Sequence, residues 1–190
     1  MKTYTLEIAG LKRELPFVDI KEDLAFASFV VLSDTELINA VAPLLAIEIG
    51  ECDVIVTAEA KGIALSYEVS KTMGLKEFVV ARKSMKSYMK DPLEVSVRSI
   101  TTADVQHLYL DSADRNKLKG KKVCLIDDVV STGDSLKALE ELCRKAGAEV
   151  IKKACILAEG EATKREDIIY LQELPLFHKD ESGEYEVIHV

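Results

Sequence analysis

The chain has no tryptophan, and its 190 residues include only 4 prolines and 9 glycines. Collagen-like and low-complexity architectures are thereby excluded, and no tract of fixed period interrupts the sequence. No apolar run is long enough to cross a bilayer, and "MKTYTLEIAG" lacks the apolar centre of a secretory signal. Cysteine is scarce: Cys52, Cys124, Cys143 and Cys155 sit inside apolar runs without metal-ligand spacing. They read as reduced core residues, so a soluble, cytoplasmic protein is expected. Positive charge is also short, with 25 Lys and Arg against 33 Asp and Glu and a net charge of −8. Nucleic acid is excluded as the main partner, because a phosphate backbone asks for a concentrated basic face. A local basic cluster for a small anion remains open. The histidines His107, His178 and His189 are scattered, with no partner at catalytic spacing.

What is there is globular: 48% hydrophobic and 31% charged residues, expected to form one domain over residues 1–190. Residues 52–58, 77–82, 122–127 and 155–159 are β-branched, nearly continuous apolar runs. Such runs suit strands covered on both faces, and hence a parallel sheet. Helix patterns alternate with them. "SDTE" at residues 33–36 fits a capping box before Leu37, Val41 and Leu45, with Pro43 expected to kink or divide that helix. Residues 62–73 stop at Gly74, and residues 134–147 place Leu136, Leu139, Leu142 and Cys143 on one stripe. The order predicts a doubly wound, mostly parallel α/β sheet. Residues 84–92 read as a polar loop, and "LEVSVRSI" and "VQHLYLD" as an antiparallel pair projecting from the sheet. Residues 1–32 and 161–190 read as an accessory layer, with Phe17, Phe26 and Phe29 as core aromatics.

"VCLIDDVVSTGDS", residues 123–135, concentrates the chemistry. Two carboxylates, Asp127 and Asp128, end a strand whose C-terminal edge is where such sheets bind ligands. After them, Val130, Ser131, Thr132, Gly133, Asp134 and Ser135 form a hydroxyl-rich turn at a helix start, able to aim backbone N–H groups at a phosphate. Carboxylates accepting from vicinal sugar hydroxyls beside a phosphate cradle describe a ribose 5-phosphate site.

This segment resembles the phosphoribosyl pyrophosphate motif of type I phosphoribosyltransferases, with Asp134 where the family has a small residue. "EAKG", Glu59, Ala60, Lys61 and Gly62, resembles the pyrophosphate loop of the adenine and xanthine enzymes. "ARKSMKS" resembles the basic segment that meets the diphosphate, through Arg82, Lys83 and Lys86. "VSVRSIT" resembles the flexible loop over the site, and "GEATKRE" the region near the base, so the likeness spans residues 18–168. It implies a small hood over the sheet and transfer of ribose 5-phosphate from phosphoribosyl pyrophosphate to a purine. It further implies Mg²⁺ held mainly by substrate oxygens rather than a protein metal site, and a homodimer. A phosphoribosyl pyrophosphate sensor is the competing class. Residues 99–102 lack the Glu of adenine enzymes, and Gly160 replaces the Lys that xanthine enzymes place after the residue matching Glu159. An adenine-like base is expected, with xanthine, guanine or hypoxanthine as alternatives.

Overall fold

The computed structural model describes residues 2–98 and 105–188. Its centre is a five-stranded sheet of β4 (Val54–Ala58), β5 (Phe78–Ala81), β8 (Lys122–Val130), β9 (Glu149–Glu159) and β10 (Ile169–Leu174). The spatial order is β10-β9-β8-β4-β5, and every pairing is parallel. Covering both faces explains the unbroken apolar runs. Cys124, Ile126 and Ile156 face the core under α1 (Thr35–Ile49) and α2 (Ile63–Thr72). Val123, Leu125 and Cys155 face α4 (Asp134–Lys145) and its stripe of Leu136, Leu139, Leu142 and Cys143. That helix ends as expected at Gly147, whose φ of +82° turns the chain and whose N–H donates to Arg144 O at 3.0 Å.

The expected α/β class is therefore found, with local corrections. The N-cap of α1 is Asp34, not Ser33: its side chain accepts from Leu37 N at 3.0 Å, and Arg13 holds it there. Glu36 is drawn away from a capping role by the same guanidinium, at 2.7 Å. Pro43 does not divide α1, which runs unbroken through it. Pro43 and Asn39 both lie on the exposed side, so the carbonyl deprived of its partner faces water. The opposite face buries Leu37, Val41, Leu45 and Ile49 and outweighs the defect.

The accessory layer is an antiparallel sheet of β1 (Thr3–Ile8), β2 (Leu11–Asp19), β3 (Leu24–Ala27), β11 (Leu176–Lys179) and β12 (Tyr185–Ile188). It forms a hood, in which Phe17 meets Phe177 edge-on at 4.8 Å and stacks on Tyr185 at 4.0 Å. The assignment of residues 161–190 to this layer fails for β10, which extends the central sheet beside β9. The projecting pair is β6 (Leu93–Arg98) and β7 (Val105–Leu110), with Ser96 opposite His107. Backbone bonds between Arg82 and Tyr109, at 2.9 and 2.8 Å, anchor it to the end of β5. Helix α3 (Ser112–Leu118), capped by Asp111 onto Asp114 N at 2.8 Å, was not read from the sequence.

Candidate active site

β8 does not stop at its acids. It continues to Val130, with Asp127 opposite Cys155 and Val130 opposite Ala158 on β9. Strand alternation therefore separates the two side chains. Asp127 follows Leu125 towards α4, whereas Asp128 follows Ile126 beneath α2, where only 2% of it is exposed. Asp128 N donates back to Asp127 Oδ1 at 2.9 Å. Burial and the neighbouring Asp128 charge push the Asp127 carboxyl upward from its ordinary range. Oδ2 of Asp128 accepts no hydrogen bond, although Lys61 Nζ stands 3.4 Å away.

Lys61 arrives on the turn between β4 and α2. The turn is forced close to β4: a Cβ on Gly62 would lie 2.3 Å from Thr57 Oγ1. The Glu59–Ala60 peptide is cis. No side chain caps α2, so its first N–H groups face the turn. Glu59 accepts from Arg82 Nη1 and from Lys83 N, both at 2.9 Å. Burial opposes ionisation of Glu59, but these donors carry its carboxyl below its ordinary range.

The two turns enclose a cavity of about 310 Å³, lined by Glu59, Ala60, Lys61, Lys83, Asp127, Asp128, Thr132, Asp134 and Ser135. A smaller hollow of about 60 Å³ adjoins it, where Val130, Ser131 and Gly133 join Thr132, Asp134 and Ser135. Gly133 is the N-cap of α4 with φ +78° and offers no side chain to the helix, while Asp134 N donates weakly to Thr132 Oγ1 at 3.4 Å. Asp134 is the first helical residue and accepts from Thr132 Oγ1 at 3.0 Å. The hollow thus combines the N-terminal N–H groups of α4 with hydroxyls, chemistry suited to a phosphate.

Most of the expected residues converge here. Gly62 stands behind the cavity wall. Arg82 and Lys86 are both absent from the lining: Arg82 connects to it through Glu59, and Lys86, whose charge also acts on Glu59, donates to Ser84 Oγ at 2.7 Å. Residues 99–102 of the expected covering loop lie outside the described residues. Sequence reading missed the apolar wall of Ala58, Leu108, Val129 and Ala138, since nothing local marks them. It also left Glu159 unassigned. This carboxyl at the end of β9 is pushed up to about 7 by burial, against the opposing field of Lys61.

A doubly wound sheet with an acid pair and two anion-ready turns at one edge defines a class, and the sequence places the chain in it. Residues 32–185 match the family model described as the phosphoribosyl transferase domain, and the chain belongs to that family. A hypoxanthine/guanine phosphoribosyltransferase of Methanococcus voltae is 35% identical over 113 residues, 60% of this chain and 56% of the relative. One from Methanothermococcus okinawensis is 33% identical over 133 residues, 69% and 68% of the two chains. The matched region thus spans little more than half of the first relative's length. Among solved structures, the adenine phosphoribosyltransferase of Thermoanaerobacter pseudethanolicus superposes with a TM-score of 0.69 at 22% identity, covering 84% of this chain and 95% of that one. The Saccharomyces cerevisiae adenine enzyme, solved with adenine and an imino-altritol bisphosphate, gives 0.68 at 17% identity, covering 83% and 93%. These likenesses establish the fold.

Proposed function

We propose that the protein is a purine phosphoribosyltransferase that joins a base to ribose 5-phosphate and releases pyrophosphate from phosphoribosyl pyrophosphate. The observation that carries this reading is the cavity and its adjoining hollow, which bring Asp127 and Asp128 together with Lys61 and the turn at residues 131–135. The turn holds the 5-phosphate through backbone N–H groups and the hydroxyls of Ser131, Thr132 and Ser135. Asp127 and Asp128 orient the ribose hydroxyls and offset positive charge developing on the sugar. Lys61, Lys83 and the backbone of residues 59–62 meet the diphosphate, and Arg82 and Lys86 join once their present partners are exchanged.

The residues fit a magnesium ion carried in with the substrate, because Asp128 Oδ2 lies buried at the cavity wall without a hydrogen bond. Two carboxylates are too few for a resident ion, so diphosphate oxygens and water would complete its shell. Held there by the acid pair and substrate, such an ion would supply positive charge for the leaving diphosphate.

An adenine-like base is our first reading, resting on Gly160, which leaves no lysine for a 2-oxo group. A 6-oxo purine is the second, favoured by the hypoxanthine/guanine names of the sequence relatives. Exposed Leu44, Ile47 and Tyr67 on α1 and α2 support a homodimer. No helix among the described residues is long and apolar enough to cross a membrane, and the buried thiols of Cys124, Cys143 and Cys155 suit a reducing, cytoplasmic setting. Pyrophosphate release, measured with phosphoribosyl pyrophosphate, Mg²⁺ and a panel of bases, tests the reading. Absence of release with every base overturns it.

A further inference from the structure

Arg165 follows the short helical turn Gly160–Lys164, in the stretch whose sequence resembles a base-side region. The structure directs it elsewhere. Its Nε donates to Asp167 Oδ1 at 2.9 Å and its Nη2 to Oδ2 at 2.8 Å, a bidentate clamp that fixes the guanidinium plane. Asp167 is itself held by Lys153 Nζ at 3.0 Å, and that lysine meets Glu140 of α4 at 2.8 Å. The remaining nitrogen, Nη1, donates to no acceptor among the described residues. It lies against Gly133, where an added Cβ would stand 2.1 Å from it. The left-handed φ of Gly133 and this contact both exclude a side chain at that point.

The turn has an electrostatic difficulty that this cation answers. Asp134 lines both the cavity and the smaller hollow, so an entering phosphate meets a carboxylate. Lys137 reaches Asp134 only at 3.7 Å and is largely exposed. Arg165 is three-quarters buried and prealigned, so little side-chain entropy is lost when its free N–H groups find an acceptor.

We propose that Arg165 donates a charge-assisted hydrogen bond to the phosphate held by residues 131–135, with Asp167 as its positioning residue. This rests on the phosphoribosyl reading above. An arginine that merely shaped the turn would disturb stability and turnover without distinguishing one substrate end from the other.

The full chain and its Arg165→Gln, Arg165→Lys and Asp167→Asn variants are compared by steady-state kinetics and by calorimetric binding of ribose 5-phosphate and of pyrophosphate. Arg165→Gln should raise KM for phosphoribosyl pyrophosphate and Kd for ribose 5-phosphate about tenfold. Pyrophosphate affinity, the KM for the base and kcat should each change less than about twofold. Arg165→Lys should recover part of the loss, and Asp167→Asn should fall between. An unchanged Kd for ribose 5-phosphate, or equal weakening of pyrophosphate, overturns the proposal. If Arg165→Gln does not fold, the same selectivity is required of Asp167→Asn. A wild-type chain that binds neither ligand and turns over no base overturns the parent reading, whereas normal turnover with an indifferent Arg165 overturns this inference alone.

Discussion

Lys61 Nζ stands 3.4 Å from Oδ2 of Asp128, so the turn after β4 supplies the one cation facing the most deeply buried carboxylate among the described residues. Lys61 is half exposed, while Asp128 is enclosed beneath α2. The pair is therefore asymmetric: the lysine can leave at small cost, and the aspartate cannot. Lys61→Met should lower unfolding free energy by about 1–2 kcal/mol, less than for a fully buried pair because water reaches the lysine. Adding Asp128→Asn to that variant should restore most of the loss. Urea titrations at neutral pH measure both, and strictly additive effects would show that the two groups do not interact.

The acid pair is expected to act on the sugar rather than on the fold. Asp127→Asn and Asp128→Asn should each slow transfer roughly ten- to a hundredfold, the worth of one lost charge-assisted contact of about 1.5–3 kcal/mol. Circular dichroism should remain that of the parent. Normal turnover of the double variant would remove both residues from the site.

A second test addresses backbone approach in the loop of residues 59–62. Gly62→Ala places a Cβ 2.3 Å from Thr57 Oγ1 and 3.4 Å from the carbonyl oxygen of Ile126. The hydroxyl is the hard obstacle, so Gly62→Ala should raise KM for phosphoribosyl pyrophosphate and destabilise the chain by about 1–3 kcal/mol. Thr57→Ala in the same chain should recover at least half of that. A double-mutant cycle with no coupling energy would mean the loop stands off the strand in solution.

Glu159 gives a pH signature. Its carboxyl titrates near 7 in the fold against an ordinary value of 4.5, because burial disfavours the charge. The folded chain therefore binds more protons than the unfolded chain between these values, and stability must fall as pH rises from about 4.5 to 7. Asp127 contributes in the same direction. Glu159→Gln should flatten part of the slope and make the variant more stable than the parent at pH 8, by about 1–3 kcal/mol. Urea midpoints at pH 5, 6, 7 and 8 provide the measurement. A slope unchanged by the substitution would place the titration elsewhere.

The sequence made the sheet and the turn at residues 131–135 legible because their signals are local. Residues 123–135 carry strand, acids, glycine and helix start within one stretch, and the structure keeps that order. What escaped depends on distant partners. β10 is a short apolar run whose place in the sheet is set by its neighbour β9, with Leu174 opposite Glu159. The hood pairs Ala25 with Phe177 and Phe26 with Leu176, contacts invisible to any local window. The acids read as a pair at a strand end, yet β8 continues to Val130, burying Asp128 and leaving Asp127 partly exposed while both line the cavity. Arg165 was legible only as part of a stretch resembling a base-side region. Its relation to Gly133 needs the return of the chain after β9.

The last prediction concerns the base. Adenine should be the preferred acceptor, with kcat/KM at least tenfold above xanthine, since a site built to pair one exocyclic group rejects analogues sharply. Two features argue for it: Gly160 follows Glu159 with no lysine to meet a 2-oxo group, and its φ of +56° beside Leu176, 3.2 Å from an added Cβ, disfavours any side chain there. Were Glu159 to face the base, its protonation would bear on the choice. Ionised above about 7 it can only accept, which suits an amino group; protonated below that it can donate, which suits a 6-oxo group. If Glu159 faces the base, the ratio of adenine to hypoxanthine turnover should rise between pH 6 and 8, and Glu159→Gln should remove that trend. The panel of adenine, hypoxanthine, guanine and xanthine at both pH values decides. Hypoxanthine or guanine tenfold above adenine at pH 8 would reverse the base assignment and leave the transfer reaction standing. Binding of phosphoribosyl pyrophosphate without turnover of any base would instead make the protein a sensor built on the same site.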